Sequence, residues 1–395
     1  MEKIILLADM NSFFASVHQA LNPSLRNKPV VVGGNPSTRH GVVLAASYEA
    51  KAYGIKAGIT VGEANVLCPH AIFLKPVYSF YVNFSTRILN IMRDFTPLVE
   101  PFSVDEAFMD ITGSQKIFGN PVEIARKLKE RIKTEIGVLC SVGIGPNKLL
   151  AKMAADMQKP DGLTVLHRKD ISDKLWPLPV RKLFGVGPRY EHHLSLLGIK
   201  TIGDLASFPP DILKKRFGIT GQVLWLCANG IDCGHVDPHS LDRVKSIGHQ
   251  ITLPRDYRTR EDIKVVISEL AEMVGYRVRA GKYLGKTVVL SLKDHNFRWL
   301  SRMKTLHEYT DLAEDIYDGI MGLLDEHWVP FTPIRMVGVT LANLNADRPF
   351  QASFFSEKER LRKLSRACDH IRGRFGEDAI KRAASLTSAG VLHAQ

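Results

Sequence analysis

Cysteine is scarce in this 395-residue chain, and the five present, Cys68, Cys140, Cys227, Cys233 and Cys368, form no C-x-x-C pair. An odd number without that spacing excludes a disulfide framework and a zinc ribbon. Cys227, Cys233 and His235 lack an evident fourth ligand. No apolar run is long enough to cross a bilayer. The five apolar residues after Met1-Glu2-Lys3 are too few for a signal peptide, so a cytoplasmic protein is expected. Internal repeats and low-complexity tracts are missing too. Acidic residues are in deficit: 41 Asp and Glu against 53 Lys and Arg leave a formal net charge of +12. That balance favours a polyanionic partner, nucleic acid ahead of membrane. A hydrophobic share of 45% excludes wholesale disorder.

Against that background, Ser103-Val104-Asp105-Glu106-Ala107-Phe108 places two adjacent carboxylates inside an apolar, strand-like run. A third acid, Asp9, closes the apolar run Ile4-Ile5-Leu6-Leu7-Ala8, which reads as a buried strand. Buried carboxylates are costly unless paired or metal-bound. Acids in two such strands therefore suggest hard cations held between them, with Mg²⁺ the natural candidate for phosphoryl or nucleotidyl transfer. On spacing alone, a structural turn with solvated acids fits equally well.

The stretch Ala8-Asp9-Met10-Asn11-Ser12-Phe13-Phe14, followed by Ser103–Phe108, resembles the Y-family translesion DNA polymerases. So do Gly41-Val-Val-Leu-Ala-Ala-Ser-Tyr48-Glu-Ala-Lys51, Gly143-Ile-Gly145-Pro-Asn-Lys148, Ala155-Asp156-Met-Gln-Lys159-Pro160-Asp-Gly162 and Phe184-Gly185-Val186-Gly187. The resemblance covers residues 1 to 344 and implies an α/β (α+β) multidomain chain of right-hand build. Palm would occupy 1–10 and 77–165, fingers 11–76, and a helical thumb 166–232. A linker at 233–243 would lead to a β-α-β-β-α-β little finger at 244–344, with a tail at 345–395.

The same resemblance implies that Asp9, Asp105 and Glu106, with the Met10 carbonyl, hold two Mg²⁺ ions. It implies primer–template DNA and deoxyribonucleoside triphosphates as substrates, low fidelity without proofreading, and a monomer. Phe14 falls at the steric gate, where a ring clashes with a ribose 2′-hydroxyl; Asn11 before it reads as a helix cap, and Phe13 as core. Tyr48, Lys51 and Lys159 match phosphate-binding positions, although Lys51 stands where Arg is commoner and Ala45 where a hydroxyl is frequent, both of which weaken the expected grip. Lys148, Lys152 and Lys159 fall within about 40° on a helical wheel and read as one basic stripe. Asp110 reads as structural.

For DNA contact, Gly185 and Gly187 sit in a helix-hairpin-helix-like turn whose backbone N–H groups can meet a phosphate. In Phe297–Leu306, alternation puts Arg298, Arg302 and Lys304 on a basic face, with Phe297, Trp299 and Met303 packed behind. From Val244 to Lys304 there are 13 Lys or Arg against 6 Asp or Glu, a balance suited to duplex phosphates. Gln351, Phe354 and Phe355 resemble a peptide that binds the bacterial sliding clamp, a contact that would raise local concentration at the primer end. Beyond it, Leu361, Leu364, Cys368, Ile371 and Phe375 suggest an amphipathic helix. The rival readings are a catalytically weak DNA-binding or clamp-associated adaptor with the same fold, and a metal-dependent nuclease using the same acids.

Overall fold

The computed structural model describes residues 2–34, 41–346, 358–376 and 379–391. It divides into two compact units, residues 1–242 and 243–395. The strands are β1 (Ile5–Met10), β2 (Val30–Gly33), β3 (Val43–Ala46), β4 (Ile72–Leu74), β5 (Val99–Pro101), β6 (Glu106–Asp110), β7 (Cys140–Gly145), β8 (Leu163–Val165), β9 (Ser246–Tyr257), β10 (Gly285–Asp294), β11 (Trp299–Thr310) and β12 (Ile334–Ala342).

In the first unit, a five-stranded sheet runs in the order β5-β6-β1-β7-β8. All six residues of β1 are buried, because this central strand is covered on both faces, and period-two alternation divides its side chains between two cores. Leu6, Ala8 and Met10 pack with Ile88, Ile91, Ile124 and Leu128, on the helices Tyr78–Arg93 and Pro121–Ile136. Ile5 and Leu7 pack with Phe108, Ala151 and Ala155, so the odd face meets the helix Lys148–Met157. That helix lies close because β7 is bare beneath it. A Cβ on Gly143 would overlap the Ala151 carbonyl, and one on Gly145 would lie 2.7 Å from the Ala151 nitrogen.

A smaller sheet, β3-β2-β4, inserts after the first helix, Phe13–Leu21. A third core joins Leu149, Leu150 and Met153 to the helices Pro188–Ser195, Ile202–Ser207, Pro210–Phe217 and Ile219–Ala228.

The second unit is a four-stranded antiparallel sheet, β11-β10-β12-β9, with the helices Arg260–Ala280 and Ala313–His327 on one face. Its β-α-β-β-α-β order matches the expected one. The strand β11 runs four residues beyond the Phe297–Leu306 pattern, and Phe297 lies outside it, in a turn with φ 63°.

The tail helix Lys358–Phe375 docks largely through charge; of the expected apolar face, Leu361 and Cys368 are half-buried. Arg362 is buried and donates to Asp311 at 3.0 Å, Asp369 accepts from Arg279 at 2.6 and 3.0 Å, and Arg372 donates to Glu272 at 2.8 Å. Leu364 and Phe375 face outward. The chain then returns Ala389 and Val391 to the domain core, where the Val391 N–H donates to buried Glu269. The tail is thus an added layer of this domain. Arg362→Ala should cost about 3 kcal/mol, because Asp311 is left buried with its charge uncompensated. Hydrogen exchange across Lys358–Phe375 reads the loss; unchanged protection would show that other contacts hold the helix.

Candidate active site

Parity and register together put Asp9 beside Glu106. Asp9 shares the odd face of β1 with Ile5 and Leu7, and it pairs directly with Glu106, the first residue of β6. Side chains directly opposite in an antiparallel pair have Cβ atoms about 5 Å apart. Two carboxylates so placed repel unless cations intervene, and the neighbouring helix supplies them. Lys152 Nζ bonds Glu106 and lies 3.6 Å from Asp9 Oδ2. Lys159 Nζ bonds Asp9 at 2.6 Å and Asp156 at 2.7 Å. Burial, the hydrogen bond to Asp9 and that neighbour's charge push Glu106 up to about 7. Burial also opposes ionisation of Asp9, yet its hydrogen bonds to Glu106 and Lys159 and the charges of both lysines bring it below the usual carboxylate range. The pair therefore holds its first negative charge on Asp9 and resists the second.

Asp105 departs from expectation. It precedes β6 in a bend rather than lying within a strand, and its carboxylate accepts from Ser103 Oγ at 2.5 Å, while its carbonyl accepts from the Met10 N–H at 2.9 Å. Among the described residues, no three His, Cys, Asp or Glu side chains converge as an assembled metal-binding group. The donor set nevertheless fits a hard divalent cation: all are oxygens, and the crowding that raises Glu106 is what a nearby cation relieves.

A cavity of about 420 Å³ opens over these acids, lined by Asp9, Met10, Phe14, Tyr48, Lys51, Asp105, Glu106 and Lys159 among others. Phe14 is stacked on Tyr81, with ring centroids 3.9 Å apart and planes within 9°, which fixes its ring at the cavity wall. Phe13 is core, as expected. Tyr48 and Lys51 ride on the short helix Tyr48–Lys51, whose Ser47 cap accepts from Ala50 N and also from Val30 N in β2. Lys51 lies over the Tyr48 ring at 4.4 Å and donates to Ser12 Oγ at 2.8 Å. Burial and the charge of Lys159 lower the Lys51 ammonium, while burial raises the Tyr48 phenol.

Two readings are corrected by this geometry. Asn11 is not a cap: Ser12 occupies that position, in left-handed backbone and without a side-chain cap bond. The buried Asn11 side chain instead donates to Ser141 Oγ at 3.1 Å and accepts from Asp161 N at 2.7 Å. It thereby ties β1 and β7 to the loop that carries Lys159. The three lysines do not act as one basic stripe, since Lys148 bonds both Glu100 oxygens at 3.0 Å while Lys152 and Lys159 serve the acids. Lys152 and Ser12 were not singled out as site residues in the sequence. Asp110 proves structural, accepting from Thr112 N and Oγ1 at 3.0 and 2.6 Å.

The β11 alternation groups these side chains as expected, but the side that packs is the opposite one. Arg302 and Lys304 pair with Leu290 and Val288, whose side chains lie in the helix-covered core. They therefore share the helix side of the sheet, where Leu300 and Leu306 pack. Trp299 and Met303, at 53% and 70% exposure, stand on the uncovered face. β11 is an edge strand, so its helix-side positions reach past the helices into solvent, and alternation alone could not tell which parity packs. Arg298 lies in the turn, its N–H held by Asp294. Gly185 takes φ +93° just before the helix Pro188–Ser195, and Gly187 is that helix's N-cap. Gln351, Phe354 and Phe355 lie outside the described residues.

Comparison with known proteins accords with this layout. The profile of the impB/mucB/samB family matches residues 8–156, that of its C-terminal domain matches 244–354, and one described as the thumb domain of DNA polymerase-iota matches 181–232. DNA polymerase IV of Moorella thermoacetica is 61% identical over 390 residues, 98% of each chain. That of Pelotomaculum thermopropionicum is 62% identical over 388 residues, 98% of this chain and 96% of the relative. A solved Y-family DNA polymerase chimera aligns with a TM-score of 0.75 at 29% identity, over 86% of this chain and 99% of its own. Fold and matches together define a right-hand polymerase with palm, fingers, helical thumb and little finger. The chain belongs to the Y family of DNA polymerases, among the DNA polymerase IV proteins. Dependence on a divalent metal is general to that family.

Asn11→Ala should cost about 1–3 kcal/mol by leaving the Asp161 N–H and Ser141 short of partners. It should also raise the KM for nucleotide more than it lowers kcat, because the Lys159 loop loses its anchor. A KM equal to that of the parent would contradict this positioning role.

Proposed function

We propose that this chain is a template-directed DNA polymerase that extends primers past damaged template bases, at low fidelity and without proofreading. The observation that carries the reading is the Asp9–Glu106 pair, with Asp105 beside it, at the floor of a cavity whose walls hold a fixed aromatic ring and the side chains of Tyr48, Lys51 and Lys159. Asp9, Asp105, Glu106 and the Met10 carbonyl are the groups that would hold two Mg²⁺ ions. Bound there, Mg²⁺ would lower the pKa of a primer 3′-hydroxyl and neutralise the triphosphate. Tyr48, Lys51 and Lys159 line the cavity and would receive the triphosphate oxygens, with Lys159 exchanging Asp9 and Asp156 for phosphate. Phe14, held by Tyr81, would exclude a 2′-hydroxyl by clash.

For the DNA itself, Gly185 and Gly187 offer backbone N–H groups at a helix start, and Arg298, Arg302 and Lys304 offer cations along the little-finger edge. Gln351, Phe354 and Phe355 would tether the enzyme to a sliding clamp. We take the enzyme to work as a cytoplasmic monomer. No described helix is long and apolar enough to cross a membrane.

The test is extension of a labelled primer on undamaged and abasic templates with Mg²⁺ and four deoxyribonucleotides, beside Asp105→Ala. Extension by the parent and passage of the abasic site, with neither by the variant, is expected. DNA binding without extension at any enzyme concentration would favour the adaptor reading, and primer shortening without nucleotides a nuclease. Phe14→Ala should admit ribonucleotides while sparing deoxyribonucleotide addition, by incorporation ratios on the same template. Unchanged sugar selectivity would remove Phe14 from the gate.

A further inference from the structure

Two lysines neutralise the acid pair, and they reach it from different places. Lys159 lines the nucleotide cavity and its side chain is 30% exposed; Lys152 is absent from the cavity wall and is only 12% exposed. Lys152 rises from the buried face of the helix Lys148–Met157, between Ala151 and Ala155, which pack on Ile5 and Leu7. The close approach over Gly143 and Gly145 sets its reach. Its ammonium touches Glu106 and lies 3.6 Å from Asp9 and 3.8 Å from Asp156. An arriving triphosphate can draw Lys159 away from Asp9, because that lysine faces the cavity. Lys152 has no comparable exit.

We propose that Lys152 is a positioning residue, a resident counter-cation that holds Asp9 and Glu106 together before metal arrives and keeps their affinity for a lone divalent cation low. This rests on the reading of Asp9, Asp105 and Glu106 as metal ligands. A fixed positive charge within bonding distance of two ligands repels a second cation in this poorly screened setting. The site is then weak for metal alone and becomes strong when the triphosphate adds its own negative oxygens. Coupled entry follows: metal and nucleotide bind together, and the empty site is not poisoned by free divalent cations.

The experiment is Mn²⁺ binding to the full chain without DNA or nucleotide, measured by the loss of the free-ion electron spin resonance signal. It is run above about pH 8, where carboxylates are ionised. Lys152→Met should bind Mn²⁺ at least about tenfold more tightly than the parent. Without metal it should melt lower, and Mn²⁺ should raise its midpoint more than that of the parent. Lys152→Arg should restore weak binding. A role confined to packing of the lysine stem would lower the melting midpoint without tightening Mn²⁺ binding. Equal or weaker Mn²⁺ binding by a folded Lys152→Met protein would overturn the proposal. If parental binding is unchanged in Asp9→Asn, the metal-ligand reading itself fails, and the proposal with it.

Discussion

Everything in the catalytic half of this molecule depends on one unfavourable contact, two carboxylates brought face to face by strand register. Asp9 and Glu106 are directly paired across β1 and β6, and their charges would drive the strand ends apart without compensation. The sheet tolerates them because a helix lies close enough, over two glycines of β7, to deliver Lys152. A loop pinned by Asn11 delivers Lys159. The glycines, the buried amide and the lysines are thus parts of one electrostatic solution. On the proposed reading, the same negative charge is what divalent cations would neutralise.

Much of this could be read from residues. The continuous apolar run Ile4–Ala8 marked β1 as a buried strand, and adjacent acids in an apolar setting marked the second site strand. The likeness to Y-family polymerases then assigned roles that spacing left open between cations and a solvated turn. What escaped was the set of supports. Asn11 looks like a cap because it precedes a helix, and only the long-range bonds to Ser141 and Asp161 show that it is a clip. Lys152 looked like one member of a basic stripe because a helical wheel does not show what packs against it. Asp105 looked like part of a strand, but strand pairing begins one residue later.

In the C-terminal domain the lesson runs the other way, since the element order was legible and the facing was not. β11 carries large side chains on both parities, and as an edge strand it leaves even its core-side positions partly in water. A rule that apolar means inside therefore placed Trp299 and Met303 wrongly. The tail helix relies on charge more than its apolar residues suggested. Buried Arg362 bonded to Asp311 and half-buried Arg372 bonded to Glu272 hold the helix because each charge has a partner. Its apolar residues Leu364 and Phe375 are left outside.

The central claim is that these carboxylates are the seat of divalent cations. It is tested most directly by anomalous diffraction from crystals of the enzyme with primer–template, an unreactive nucleotide and Mn²⁺. The account predicts anomalous density held by Asp9, Asp105 and Glu106, with Asp105 released from Ser103 to join the pair. Mn²⁺ bound elsewhere, with Asp9 and Glu106 still held only by Lys152 and Lys159, would contradict it.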